Sequence, residues 1–360
     1  MGFCSSCINS DNNRKINKKK TKNQQNYKQH SNQSVIEKNY VENFEYQLIG
    51  LKNIGSSCYM NSFLQILFHT PNFINELKKY NNFSNCILIK NLINLSEYPK
   101  NTSCLYSIKE FMGEINNNYA LFKEEDSQDF GKDLINGIIT CIKGKESFLS
   151  SENENYKKNI NINQKKIIYE NYLEKYQKNQ IEIEKMFIIN ESKFICNSKG
   201  ISNLYFNTCL DIELSFNGIE KNLFSLEELL DYKYQNIPEK NINLEETYYS
   251  RLCYLPEILI ITIIRTIIKK GLNKAKLKFP IILDLNKYID NDLYKKKYTK
   301  YKLFAVNHKA GNTNSMGHYY CNINIKNKWY IFSDEKVYEN NIDLFSENNV
   351  GLFYKKLKDE

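Results

Sequence analysis

The sequence predicts an α+β fold in which the helices come first and the strands last. Three observations carry this expectation. Residues 58–142 repeat apolar positions at helical spacing, the strong runs from Phe194 onward are strand-like, and 360 residues with 41% hydrophobic and 13% aromatic content suffice to bury a substantial core. No uninterrupted apolar run approaches the roughly 18 to 20 residues that span a bilayer. "LPEILIITIIRT" is interrupted by Glu257 and ends at Arg265, so it reads as a buried strand.

The first helix is announced by "GLKNIGSSCYMNSFLQILFHTPNF", residues 50–73. Gly55, Ser56 and Ser57 form a small-residue turn, and Met60, Phe63, Leu64, Leu67 and Phe68 follow at helical spacing. Cys58 therefore falls at the helix start, where free backbone N–H groups and the positive end of the helix dipole favour a thiolate. A lone cysteine in such a place is also compatible with an inert thiol. Further on, "DSQDFGKDLINGIITCI" sets Phe130, Leu134, Ile135 and Ile138 on one helical stripe. Ser225 and Glu228 have capping-box spacing for one later helix.

Among the strands, "MGHYYCNINIKNKWYIF" alternates with a period of two. That alternation places Tyr319, Cys321, Ile323 and Ile325 on one face and His318, Tyr320, Asn322 and Asn324 on the other. The chain has four histidines, and His318 has the context of a base: Gly317 before it permits close backbone approach, and the next strand leads to Ser333 and Asp334, either of which would orient an imidazole. The ten cysteines are scattered and follow no secretory signal, which predicts free thiols and a cytoplasmic, reducing location.

Residues 1–44 are a different material. The first 40 are polar, carry eight basic against two acidic residues, and supply +6 of the net charge of +9. Such a segment buries too little apolar surface to fold and is expected to be disordered. "MGFCSSC" nevertheless fits N-myristoylation at Gly2, with Cys4 and Cys7 as palmitoylation sites. Six positive charges in "RKINKKKTK" at 14–22 would add affinity for an anionic membrane surface. The expectation is peripheral association with the cytosolic face of a membrane. No nucleic-acid-binding fold follows the basic run, so nucleic acid is not an expected partner.

Taken together, these residues resemble the ubiquitin-specific proteases, papain-like cysteine deubiquitinases with a Cys box of the form GLxNxGxTCYMNSxLQ and a His box containing GHY. "GLKNIGSSCYMNSFLQ" matches the first with Ser57 in place of the usual Thr, and residues 301–337 match the second, His308 and Gly311 included. "EEDSQDF" at 124–130 resembles the family's QQDxxEF element. "FSLEELLDYKY", "LPEILIITIIRT", "LKFPIILDLNKY" and "VGLFYKKL" follow in the family's order, so the resemblance covers about residues 48–358.

The resemblance implies a right-hand fold: a helical thumb (about 48–145), a β-rich palm and reduced β-ribbon fingers (together about 191–360), within a catalytic domain of residues 45–360. Residues 151–190 read as an insertion near the fingers. It implies a thiol-dependent deubiquitinase acting on ubiquitin and ubiquitinated proteins, expected to be a monomer without cofactor. Cys58 would be the nucleophile, His318 the base, and Asn53 a donor to the oxyanion. The third group is open between Ser333 and Asp334, because the family's usual Asp or Asn is replaced here by Ser333. Asp126, Glu125, Gln128, His308, Gly317 and Tyr319 would line the substrate site, with Glu124 to Asp129 suited to the arginine-rich tail of ubiquitin. Many family members hold zinc in the fingers with two CxxC pairs. Here Cys196 is followed at that spacing by Lys199, so no metal is expected. Two alternatives stay open: a catalytically weak or inactive ubiquitin-binding scaffold, or a protease of a ubiquitin-like modifier.

Overall fold

The structure, a computed structural model, describes residues 48–81, 86–144, 155–178, 180–197, 200–216, 221–235, 237–241, 244–267, 271–294, 298–311, 317–340 and 343–358. Gly2, Cys4, Cys7 and the basic run lie outside these residues.

Five helices come first: α1 (Cys58–Phe68), α2 (Phe73–Tyr80), α3 (Ile87–Glu97), α4 (Thr102–Ile115) and α5 (Ser127–Lys143). The sequence reads α1 as one-sided, yet every residue from Cys58 to Leu67 is buried. The helix is enclosed by its neighbours, and its polar residues Asn61, Ser62 and Gln65 bond to backbone and side chains. The stripe expected on α5 is correct: Phe130, Leu134, Ile135 and Ile138 are fully buried. One expectation fails here, because Cys86 and Cys141 are joined by a disulfide between the start of α3 and the end of α5. Cys58, Cys104, Cys196, Cys209, Cys253 and Cys321 are free.

The segment read as an insertion holds β1 (Asn155–Ile160), α6 (Ile162–Gln177) and α7 (Glu182–Phe187). Asn161 and Gln164 form a reciprocal capping box at the start of α6. There follow β2 (Ile189–Asn197), β3 (Gly200–Cys209), β4 (Ile212–Ser215), β5 (Leu223–Ser225), the Ser225-capped helix α8 (Leu226–Lys233), β6 (Ile237–Asn241), β7 (Leu244–Tyr254) and β8 (Ile258–Ile264). A short hairpin, β9 (Thr266–Ile267) and β10 (Gly271–Leu272), leads to β11 (Lys276–Lys278) and β12 (Ile282–Asp284). The chain ends with β13 (Lys300–Ala310), β14 (His318–Ile325), β15 (Lys328–Ser333), β16 (Lys336–Glu339) and β17 (Asn349–Lys356).

Two sheets organise these strands. The larger has the order β16-β15-β14-β13-β17-β8-β4 with β12 also on β13, and the smaller has the order β1-β3-β2-β7-β6. The large sheet is covered on both faces, which explains the continuous apolar run of β8. Ile258 and Ile260 join the core shared with the helices, whereas Leu259, Ile261 and Ile263 join a second core with Leu226, Leu229 and Leu230 of α8. The alternation expected of β14 is also correct, with Tyr319, Cys321, Ile323 and Ile325 all buried. The small sheet is the finger region. Helix α6 packs on it through Tyr169, Tyr172 and Leu173 in a third cluster.

Candidate active site

The loop before α1 folds because two consecutive residues, Gly55 (φ +102) and Ser56 (φ +48), take left-handed backbone conformations. Asn53 closes the turn: its Oδ1 accepts from the amides of Gly55 (3.0 Å) and Ser57 (3.3 Å) and from the Ser57 hydroxyl (3.3 Å). Ser57 Oγ in turn accepts from the Ile54 amide at 3.0 Å, so the residue that replaces the family's Thr works as a buried clamp. Cys58 follows at the first position of α1.

Across the cleft, His318 opens β14 and pairs with Ala310 of β13. Gly317 before it leaves room for that strand, since a Cβ there would sit 2.8 Å from the Ala310 carbonyl oxygen. The Cys58 sulfur reaches the Gly317 carbonyl oxygen at 4.0 Å. His318 Nε2 lies 2.8 Å from Ser333 Oγ, so Nδ1 is the ring nitrogen that this bond does not engage. Asp334 does other work. One carboxylate oxygen accepts from Asn53 Nδ2 (3.0 Å), the other from Asn61 Nδ2 (2.8 Å), and its backbone carbonyl accepts from the Leu51 amide (2.9 Å). A single residue thus ties the Cys58 loop and α1 to the turn after β15.

The Cys58 thiol does not sit in the thiolate-favouring environment that a helix start suggests. Burial raises its pKa above the ordinary thiol value, and the Asp334 and Glu124 charges raise it further. The backbone N–H groups of Tyr319 and Tyr59 oppose this only in part. Cys58 in this state is a protonated thiol that needs a base.

Beside the thiol lies a cleft of about 600 Å³ between the N-terminal turn of α5 and the ends of β8, β13 and β14. Glu124, Glu125, Asp126, Gln128 and Asp129 line one side, and Gly317 and Tyr319 the other. Asp126 caps α5, with Oδ1 accepting from the amides of Gln128 (2.8 Å) and Asp129 (3.2 Å), and its Oδ2 accepts from the Tyr319 hydroxyl at 2.9 Å. That bond joins the two walls. Gln128 is 2% exposed, and its side-chain amide is buried without a hydrogen-bond partner against Gly351 of β17, so close that a Cβ there would clash with it. His308 does not belong to this surface. It is buried, stacked on Tyr320 at 4.7 Å and 3.4 Å from Asn349 Nδ2, so its expected substrate contact is replaced by a supporting role behind the cleft wall.

Two residues near the thiol escaped the sequence reading. Lys109 is fully buried in α4, donates to the Tyr59 hydroxyl at 2.9 Å, and its pKa falls to about 8 because burial disfavours the ammonium. Its place four residues after Leu105, on the apolar stripe with Ile108 and Met112, was the available signal. Phe122 stands exposed against Gly55. Among the described residues no group of three or more His, Cys, Asp or Glu side chains is arranged to hold a metal ion, and no helix is long and apolar enough to cross a membrane.

Residues 49–354 match the family described as ubiquitin carboxyl-terminal hydrolase. The Arabidopsis thaliana protein named ubiquitin carboxyl-terminal hydrolase 4 is 24% identical over 332 residues, covering 85% of this chain and 87% of the relative. The Drosophila melanogaster ubiquitin carboxyl-terminal hydrolase Usp2 is 23% identical over 341 residues, and there the chain spans only 35% of the relative's length. Among solved structures, the SAGA Ubp8/Sgf11/Sus1/Sgf73 DUB module bound to ubiquitin aldehyde is similar at a TM-score of 0.67 and 19% identity, over 90% of this chain and 73% of that one. This last likeness is one of fold.

Proposed function

The chain belongs to the ubiquitin carboxyl-terminal hydrolase family, which makes it a cysteine-type deubiquitinase, and from that premise we propose how its own residues cleave the bond after the C-terminal glycine of ubiquitin. The tail of ubiquitin enters the cleft beside Cys58, and Glu124, Glu125 and Asp129 attract its arginines. His318 Nδ1 takes the thiol proton while Nε2–H donates to Ser333 Oγ, and the sulfur attacks the glycine carbonyl. Asn53 Nδ2 has two hydrogens. One is held by Asp334, and the second, with the Cys58 backbone N–H, meets the developing oxyanion. The imidazolium then protonates the leaving amine, and water hydrolyses the thioester.

The observation that carries this reading is the convergence at one cleft end of the Cys58 thiol, the His318–Ser333 pair and the Asp334-held Asn53. Reaction with ubiquitin bearing a C-terminal electrophile tests it. A covalent adduct with the unaltered protein that disappears in Cys58→Ala is expected. Ubiquitin binding without an adduct would mean a scaffold, and neither binding nor adduct would turn the search to ubiquitin-like modifiers.

Peripheral membrane association belongs to the same proposal. Gly2 in its myristoylation pattern, Cys4 and Cys7 beside it, and the basic run at 14–22 support it, since one acyl chain alone binds only marginally and a second signal is needed. Cell fractionation of the full chain beside Gly2→Ala should show the variant shifted to the soluble fraction; equal solubility of the two would reject the anchor.

A further inference from the structure

One residue before the acidic run 124–126, which lines the cleft, the chain exposes two consecutive apolar side chains, Leu121 at 44% and Phe122 at 77%. Phe122 holds a φ of +64°, a left-handed conformation that bulky residues rarely adopt and that persists only where the surroundings enforce it. Its ring lies against the loop before Cys58: a Cβ at Gly55 would stand 2.7 Å from the ring's Cδ1 and Cε1. Gly55 donates one of the amides that Asn53 Oδ1 caps. An exposed phenyl ring is therefore fixed beside the segment that faces the oxyanion.

Phe122 is not part of the wall that would receive the ubiquitin tail. The cleft lining includes Glu124, Gly317 and Tyr319 but neither Phe122 nor residues 51–58, so Cys58 stands at its end, against Gly317. A tail lying in that cleft with its last carbonyl at Cys58 fills the lined side, so the leaving amine departs past the end of the lining, where Gly55 and Phe122 stand. For an isopeptide bond the leaving group is a lysine side chain, whose four methylenes suit the face of an aromatic ring.

We propose that Phe122 is the contact for the leaving side of the scissile bond and selects for a lysine-linked acceptor by holding the aliphatic stem of that lysine. This rests on the deubiquitinase reading given above. The experiment compares the full chain with Phe122→Ala and Phe122→Leu on two substrates. One is ubiquitin joined by an isopeptide bond to a lysine in a short fluorescent peptide; the other is ubiquitin ethyl ester, whose leaving group has no lysine stem. Phe122→Ala should lower kcat/KM on the lysine-linked substrate about tenfold and leave the ester within about twofold, with Phe122→Leu in between. Equal losses on both substrates would make the ring a prop for the Asn53 loop and overturn the proposal, as would no loss on either. An unaltered protein that cleaves neither substrate would overturn the deubiquitinase reading itself, and the leaving-side contact with it.

Discussion

The cleft and the fingers are held together in opposite ways. At the cleft, a few directional bonds converge on one residue, Asp334, which fixes Asn53, Asn61 and Leu51 at once. In the fingers, α6 is laid on the sheet largely by area: Tyr169, Tyr172 and Phe206 form a ring cluster with Ile160, Ile201 and Leu204, and the tyrosine hydroxyls bond the Cys253 carbonyl and Thr208. A convergent polar site loses its geometry when one acceptor is removed, whereas a spread apolar one loses stability gradually and keeps its shape.

The largest expected effect is on stability, at a place where the fingers depart from that rule. Lys165 on α6 is 2% exposed and bonds Asp290 at 2.6 Å, over the ring of Phe194 at 4.1 Å. Asp290 also accepts from Ser192 Oγ at 2.8 Å. Lys165→Met strands the buried carboxylate and should cost about 3–5 kcal/mol of unfolding free energy in denaturant titration. At low temperature the kinetic constants for an ester substrate should stay within about twofold of the unaltered protein. A large fall in kcat instead would mean that fingers and cleft are one mechanical unit.

Asp334→Ala should do the reverse. Losing the acceptor for Asn53 and Asn61 releases the loop that carries the proposed oxyanion donor, and kcat/KM should fall about 10²- to 10³-fold, the range for removing such a donor. The melting temperature should drop by only a few degrees. If activity survives, the Asn53 loop is held by its own Oδ1 bonds and the convergence on Asp334 is redundant.

Acid should discriminate between the two regions as well. Burial lowers His69 to a pKa of about 4 and His308, with the Arg265 charge adding to the effect, to about 3. Neither is in the fingers: His69 follows the end of α1 and lies against Phe332 of β15, and His308 is on β13. As pH falls below about 6.5 the unfolded imidazoles take up protons that the folded ones refuse, so stability present above that value is lost down to about pH 4 for His69 and about pH 3 for His308. Each histidine adds a slope of at most about 1.4 kcal/mol per pH unit. Unfolding free energy against pH should show it, and His308→Gln should reduce the slope by nearly one proton. Hydrogen exchange at pH 5 should open the cleft side first, because the described finger strands contain no histidine.

Much of the cleft was legible because its chemistry is local in sequence. A turn of small residues places Cys58 at a helix start, and a period of two places His318 at a strand's beginning. What each group does in the fold was less legible. A helix start predicts a thiolate-favouring site, but burial and two carboxylates outweigh the backbone donors at Cys58. Cys86 and Cys141 gave no sign of pairing, since their approach depends on how α3 packs on α5. Lys109 went unnoticed because a lysine in a helix is usually solvated, and only tertiary packing encloses it. His308 was assigned to the substrate by its place in a motif, and the motif says nothing about which face of β13 is covered.

The choice between Ser333 and Asp334 shows the same limit most sharply and leads to the smallest of the expected effects. Adjacent residues at a strand's end point in different directions, and here Asp334 has a left-handed φ of +49°, which turns its carboxylate toward Asn53 and Asn61 while Ser333 keeps the imidazole. A hydroxyl accepts the Nε2–H and fixes the ring, but it stabilises the imidazolium less than a carboxylate does. Ser333→Ala should therefore lower kcat/KM only about tenfold, and Ser333→Asp should restore or exceed the original rate. Steady-state kinetics on ubiquitin ethyl ester, with the electrophile adduct as a check on Cys58, would read both. A loss from Ser333→Ala as deep as that from Asp334→Ala would assign the hydroxyl more than orientation; no loss at all would mean that the ring is held in place by β14 alone.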